Sequence, residues 1–93
     1  MDKETIKRLV ESLYNNLSTL SSGNPSYYAN IYAEKYNAIL KELKTLYKEE
    51  SFVIGMKELP LVLDDSKEVS KELARLFQNV NVSVSQLKAF LIN

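Results

Sequence analysis

At 93 residues, with 45% apolar and 26% charged side chains, the chain has the composition of one globular domain and little material for a second. Cysteine, histidine and tryptophan are all absent, which excludes a disulfide framework, thiolate or imidazole metal sites, the commonest general base and the strongest nucleophile. Twelve basic and twelve acidic residues cancel, so the basic excess of a dedicated nucleic-acid binder is missing, and two glycines with two prolines disfavour a turn-rich β architecture.

A first helix is expected from Lys3 to Leu20. Ile6, Val10, Leu13, Leu17 and Leu20 recur at spacings of four, three, four and three, and Leu9 broadens the seam. The opening "MDKETIKRLVESL" is amphipathic and charged, unlike a signal peptide. In "SSGNP", Gly23 suits a helix end, Asn24 can cap the next helix and Pro25 fits its first turn.

The second helix is expected over Pro25–Glu50, a rod of ~39 Å. Tyr32, Tyr36, Ile39, Leu43 and Leu46 repeat the four-three seam, with Tyr28, Ile31, Leu40 and Tyr47 beside it. Tyr28, Tyr32 and Tyr36 stand four apart on one face, where tyrosine suits the border of a core, ring inward and hydroxyl in water. Tyr27 falls off that stripe and is the candidate exposed ring.

The segment "SFVIGMKELPLVL" (Ser51 to Leu63) is too apolar for one face of a short helix. It reads as a short helix or turn over Phe52–Leu59, then an extended link through Val62, plugging the helix ends. A third helix is expected over Ser66–Asn79, started by Asp65 with Glu68 and by the charge of Asp64, with a seam of Val69, Leu73, Leu76 and Val80 and Phe77 alongside. After the alternation "NVNVSVS", a fourth helix is expected over Val84–Ile92, with Ser83 and Gln86 as its capping pair. The expected fold is therefore all-α: a single domain over 1–93, with two long antiparallel helices and two to three shorter ones packed across one side. Its expected core is Ile6, Leu9, Val10, Leu13, Leu17, Tyr32, Tyr36, Ile39, Leu43, Leu46, Leu73, Leu76, Phe77, Leu87 and Leu91.

Chemistry has little to work with. The close carboxylate pairs, Glu49/Glu50, Asp64/Asp65 and Glu68/Glu72, are each explained by helix electrostatics. There is no glycine-rich phosphate loop, nucleophile elbow or EF-hand spacing. The sequence assigns no catalytic, cofactor-binding or metal-binding residue and no small-molecule substrate. No apolar run approaches the ~18 residues of a membrane span, so no membrane partner is expected. The cysteine-free composition suits a reducing cytoplasm, the expected location.

Lys67, Lys71 and Arg75 form a basic row four apart, and Lys41, Lys44 and Lys48 form another. Interleaved glutamates read them as solvated helix faces. The stretch "KELARLFQNVNVSVSQLKAFL" resembles a DNA-binding helix-turn-helix, "ELARLF" then "SVSQLKAFL", with Ala74 at the helix crossing. It departs from that pattern in a lengthened "QNVN" turn, in Asn81 where glycine is usual, and in a recognition helix offering only Ser85, Gln86 and Lys88. On this alternative reading Gln86 and Lys88, within residues 71–91, approach bases while Lys67, Lys71 and Arg75 follow phosphates. Any nucleic-acid contact is expected to be weak or indirect.

With tyrosine, isoleucine, lysine and glutamate in quantity and no Cys, His or Trp, the chain resembles a crenarchaeal protein in composition. In size, composition and helix layout the chain resembles the small all-helical accessory subunit of the crenarchaeal replicative B-family DNA polymerase holoenzyme. The resemblance implies a non-catalytic subunit that binds the large polymerase chain and supports the assembly; it carries over no functional residues. The preferred reading is a non-enzymatic interaction module docking on a larger protein. Its candidate contacts are the apolar residues beyond what a bundle needs: Tyr27, Tyr28, Phe52, Ile54, Met56 and Leu59.

Overall fold

The computed structural model describes residues 2–20, 28–62 and 69–92, with the side chains of Val69 and Ser70 excepted. Among the described residues four helices follow one another: α1 (Lys3–Thr19), α2 (Ala29–Leu46), α3 (Ser51–Ile54) and α4 (Val69–Leu91). Among the described residues there is no β-strand. The fold is a small all-α bundle. Gly23, Asn24, Pro25 and Tyr27 lie outside the described residues, as do Asp64, Asp65, Lys67 and Glu68.

Asp2 starts α1, its Oδ1 accepting from the Thr5 N–H at 2.8 Å. Hydrogen bonding from Thr5, by its side chain first and its backbone N–H second, holds the Asp2 carboxyl below its usual value. Ile6, Val10, Leu13 and Leu17 are buried as the seam predicts. Leu9 is not in the core: it is 39% exposed. Among the described residues α1 is covered by α2 and α4, and Leu9 is left in the outer α1–α2 groove beside Ser12, Lys35 and Ala38.

On α2, Tyr36, Ile39 and Leu43 are buried as expected, and the buried face extends to Leu40, Ala33 and Ala29 rather than to Tyr32 and Leu46. Ala29, Ala33, Tyr36, Leu40 and Leu43 repeat the same four-three spacing and are buried together with Ile39. Two alanines on this seam let neighbouring elements approach the helix closely. Tyr32 and Leu46 move to the border as a result, half-buried, and the Lys35 ammonium stands 5.4 Å from the Tyr32 ring centroid.

Chain direction is set by contacts at the ends. The Lys3 ammonium lies 4.7 Å from the Tyr47 ring centroid, so the start of α1 meets the end of α2 and the two run antiparallel. Tyr47 and Phe90 meet edge to face at 5.5 Å, which brings the ends of α2 and α4 together, so these helices run parallel. α4 packs lengthwise on both α1 and α2 rather than across one side.

A parallel pair needs a return path, and residues 56–62 supply it as an extended strap along α2. Asn30 Nδ2 donates to the Val62 carbonyl while its Oδ1 accepts from the Val62 N–H, both at 2.8 Å. Asn37 does the same for Leu59, at 2.9 Å and 2.8 Å. Seven helical residues rise about 10.5 Å, close to the ~9–10 Å spanned by three extended residues. The two amides therefore match the strap's step and fix its direction antiparallel to α2. Ahead of the strap, α3 places Val53 wholly inside the core. Such burial contributes about 1.5–3 kcal/mol.

The largest departure from the sequence reading is α4. Residues 69–91 form one helix, with no turn at 79–82. The helix-turn-helix is not formed, and the expected third and fourth helices are a single element. Leu73, Leu76, Val80, Val84, Leu87 and Leu91 cover eighteen residues in five steps, 3.6 on average, so one stripe stays on the core throughout. Val80 and Val84 are completely buried. Their packing overrides the weak helix propensity of "NVNVSVS", and Asn81 turns its side-chain amide to the Phe77 carbonyl at 3.2 Å.

Candidate interaction surface

Tyr36 of α2 is 1% exposed, and its hydroxyl is directed at Ser83 of α4. Burial raises the phenol above its usual value, partly offset by the Ser83 side chain. No buried side-chain polar atom among the described residues lacks a partner. Among the described residues no three acidic side chains gather closely enough to hold a metal ion, and no helix is long and apolar enough to cross a membrane.

The exposed large apolar side chains are divided: Phe52, Ile54 and Ile92 lie at the α3 end of the bundle, Tyr28 and Ile31 at the start of α2, and Leu9 and Val82 along α1 and α4. Phe52 lies on α3, and its ring stacks on Phe90 of α4 with centroids 5.1 Å apart and planes 17° apart. Phe52 nevertheless remains 42% exposed, and the adjoining Ile54 57%. The reason is local. In a four-residue helix whose inner side is filled by Val53, the neighbours Phe52 and Ile54 must face outward. Phe90 carries this cluster inward by meeting Tyr47, itself capped by Lys3. Ile92 and Val82, farther along the α4 surface, are exposed as well.

The other predicted contacts separate from these. Met56 and Leu59 are half-buried against the core, and Leu59 is also held through its backbone by Asn37. They are strap residues rather than surface anchors. Tyr28, at the N-terminal cap of α2, is exposed. It stands at the end of α2 remote from Phe52, so the structure does not join the tyrosines to the α3 site. Tyr27 lies outside the described residues.

The residues of the nucleic-acid alternative do not form one surface either. Lys71 and Arg75 are exposed on α4, and Gln86 lies well along the same helix beside Phe52 and Phe90. Lys88 turns back onto α1, its ammonium 3.9 Å from the Tyr14 ring centroid. It is spent within the fold. Lys67 lies outside the described residues. In the second basic row, Lys41 reaches Glu58 of the strap at 3.8 Å, an exposed pair worth ~1 kcal/mol or less.

Asn30 and Asn37 were not singled out by sequence. The available signal was two asparagines seven apart within an otherwise good helix, a spacing that puts both on one stripe. The outer face of α4 was missed for a different reason: its pattern appears only once residues 69–91 are treated as continuous. Compared with models of protein families, with curated proteins and with solved structures, the chain matches none.

Proposed function

We propose that this chain is a non-enzymatic interaction module, a small accessory subunit that docks on a larger protein through the α3 end of the bundle. The observation that carries this reading is the exposure of Phe52 and Ile54 on a short helix anchored by Val53 and by the Phe52–Phe90 stack. A rigidly held aromatic ring beside an exposed aliphatic side chain is the kind of anchor that fills a partner's pocket, since buried aromatics dominate interface energetics. The resemblance in size, composition and helix layout makes a replicative DNA polymerase in the cytoplasm the candidate partner.

The test is capture of the larger chain from native cells with tagged protein, wild type against Ile54→Asp. A stoichiometric large subunit retained in salt by wild type and lost by the variant supports the reading. A solitary band, or equal retention by both, removes it. Mass spectrometry of the retained chain decides whether it is a polymerase.

A further inference from the structure

Every exposed residue of α4 from Gln78 to Ile92 is uncharged: Gln78, Asn79, Val82, Ser85, Gln86, Ala89 and Ile92. This holds in a chain where 26% of residues are charged. Gln78, Val82, Ser85, Ala89 and Ile92 are spaced four, three, four and three, so α4 carries a second helical seam opposite the one that packs on α1 and α2. Two shallow hollows flank Gln86 and Ala89. One, of about 410 Å³, is completed by Asn81, Val82 and Ser85; the other, of about 390 Å³, by Phe52 and Phe90.

We infer that this face is the contact between two copies of the chain, packed as antiparallel α4 helices about a two-fold axis between Ser85 and Gln86. The sequence order along the seam supports that occupant. A two-fold between these residues sets Val82 opposite Ala89 of the second copy, beside its Phe52–Phe90 hollow, and the same contact recurs on the other side. Ser85 meets Gln86 of the second copy, where the amide both donates and accepts. Symmetry brings residues near the axis close to their own kind, so a charge there would lie near a like charge. The seam holds none. Arg75 and Glu72, the first exposed charges towards the N-terminus of α4, fall beyond the end of the opposing helix in this register. Lys88, the one charged residue within the span, is drawn aside onto Tyr14.

The inference does not rest on the larger partner. Ile54 lines neither hollow, so Ile54→Asp, which should abolish docking on the larger partner, leaves the dimer unchanged. Phe52 belongs to both surfaces, and the dimer and the docked form exclude each other at that ring.

The experiment is solution mass by sedimentation across a dilution series from micromolar to millimolar protein, wild type against Gln86→Glu. Wild type should reach twice the 10.7 kDa chain mass. Gln86→Glu should weaken the association about tenfold or more at neutral pH, because it brings two carboxylates close to the two-fold axis, each set against Ser85 of the second copy, and regain it where they are protonated, with its helical circular dichroism unchanged. Because the chain has no cysteine, Gln86→Cys gives a second readout. It should form a covalent dimer on mild oxidation, faster than Glu11→Cys on the surface of α1. Monomer mass throughout, a dimer indifferent to Gln86→Glu, or equal cross-linking at both cysteines overturns the proposal.

Discussion

Asn37 holds Leu59 by both of its backbone groups, accepting from the N–H at 2.8 Å and donating to the carbonyl at 2.9 Å. The grip ignores the leucine side chain. Asn30 repeats it on Val62, and between them Pro60 has no N–H to leave unpaired.

Replacing Asn37 by Ala strands both half-buried backbone groups of Leu59. We expect a loss of about 1–3 kcal/mol, read as a lower urea midpoint at unchanged m-value. Asn37→Asp keeps the acceptor but sets a carboxylate against the Leu59 carbonyl. It should be the weaker protein at neutral pH and recover as acid protonates the new side chain and restores a donor. Equal stability of Asn37→Ala and wild type would show that the strap is held by its side chains alone.

Tyr36→Phe removes the hydroxyl directed at Ser83 and should cost about 1 kcal/mol. Its pH dependence is the sharper test. The folded phenol titrates above its ordinary value of 10.0, so its contribution is fully present below pH 10.0 and is lost as pH rises through the folded value. Above pH 10.0 wild type should therefore lose stability faster than Tyr36→Phe. Thermal melts at a series of alkaline pH values would show parallel decline if Tyr36 were not involved.

The continuity of α4 is open to a backbone test. Asn81→Pro, tolerable in a turn, breaks a continuous helix beside two fully buried valines and should cost about 3 kcal/mol or more. Asn81→Gly should cost about 0.5–1 kcal/mol. A proline variant that melts with wild type would mean that residues 79–82 form a turn after all.

Val53 and Ile54 are neighbours with opposite duties. Val53→Ala empties part of a fully buried site and should destabilise by about 1–3 kcal/mol, whereas Ile54→Asp, at a 57% exposed position, should stay within about 0.5 kcal/mol of wild type. Chemical denaturation of the pair checks this directly. It also establishes that any partner lost by Ile54→Asp was lost from a folded protein.

How far the sequence reaches is visible in single residues. The α1 seam was legible because one side of that helix is buried along its length, and Ile6, Val10, Leu13 and Leu17 do the burying. On α2 the periodicity admitted two faces, and it underrated Ala29 and Ala33, which contribute closeness of approach rather than apolar area. Local propensity pointed to a break at Asn79–Asn81 that the burial of Val80 and Val84 overrules, so the helix-turn-helix resemblance dissolved with the turn. The outward position of Phe52 and Ile54 was anticipated only as an apolar excess. The pairing of Asn30 and Asn37 with the strap links residues 32 and 22 positions apart, beyond what any local pattern encodes.

Those long separations bear on how quickly the chain can assemble. An up-and-down bundle grows by adding each helix to the one just made, with short loops to close. Here α4 can align beside α2 only after the strap has doubled back along it, closing a 32-residue loop between Asn30 and Val62 before their hydrogen bonds reward the ordering. Folding should therefore be slower than for a simple helical hairpin bundle of this length. Truncating Asn30 should slow the folding arm of the chevron if the strap is laid down before the rate-limiting barrier, and speed the unfolding arm if it is laid down after.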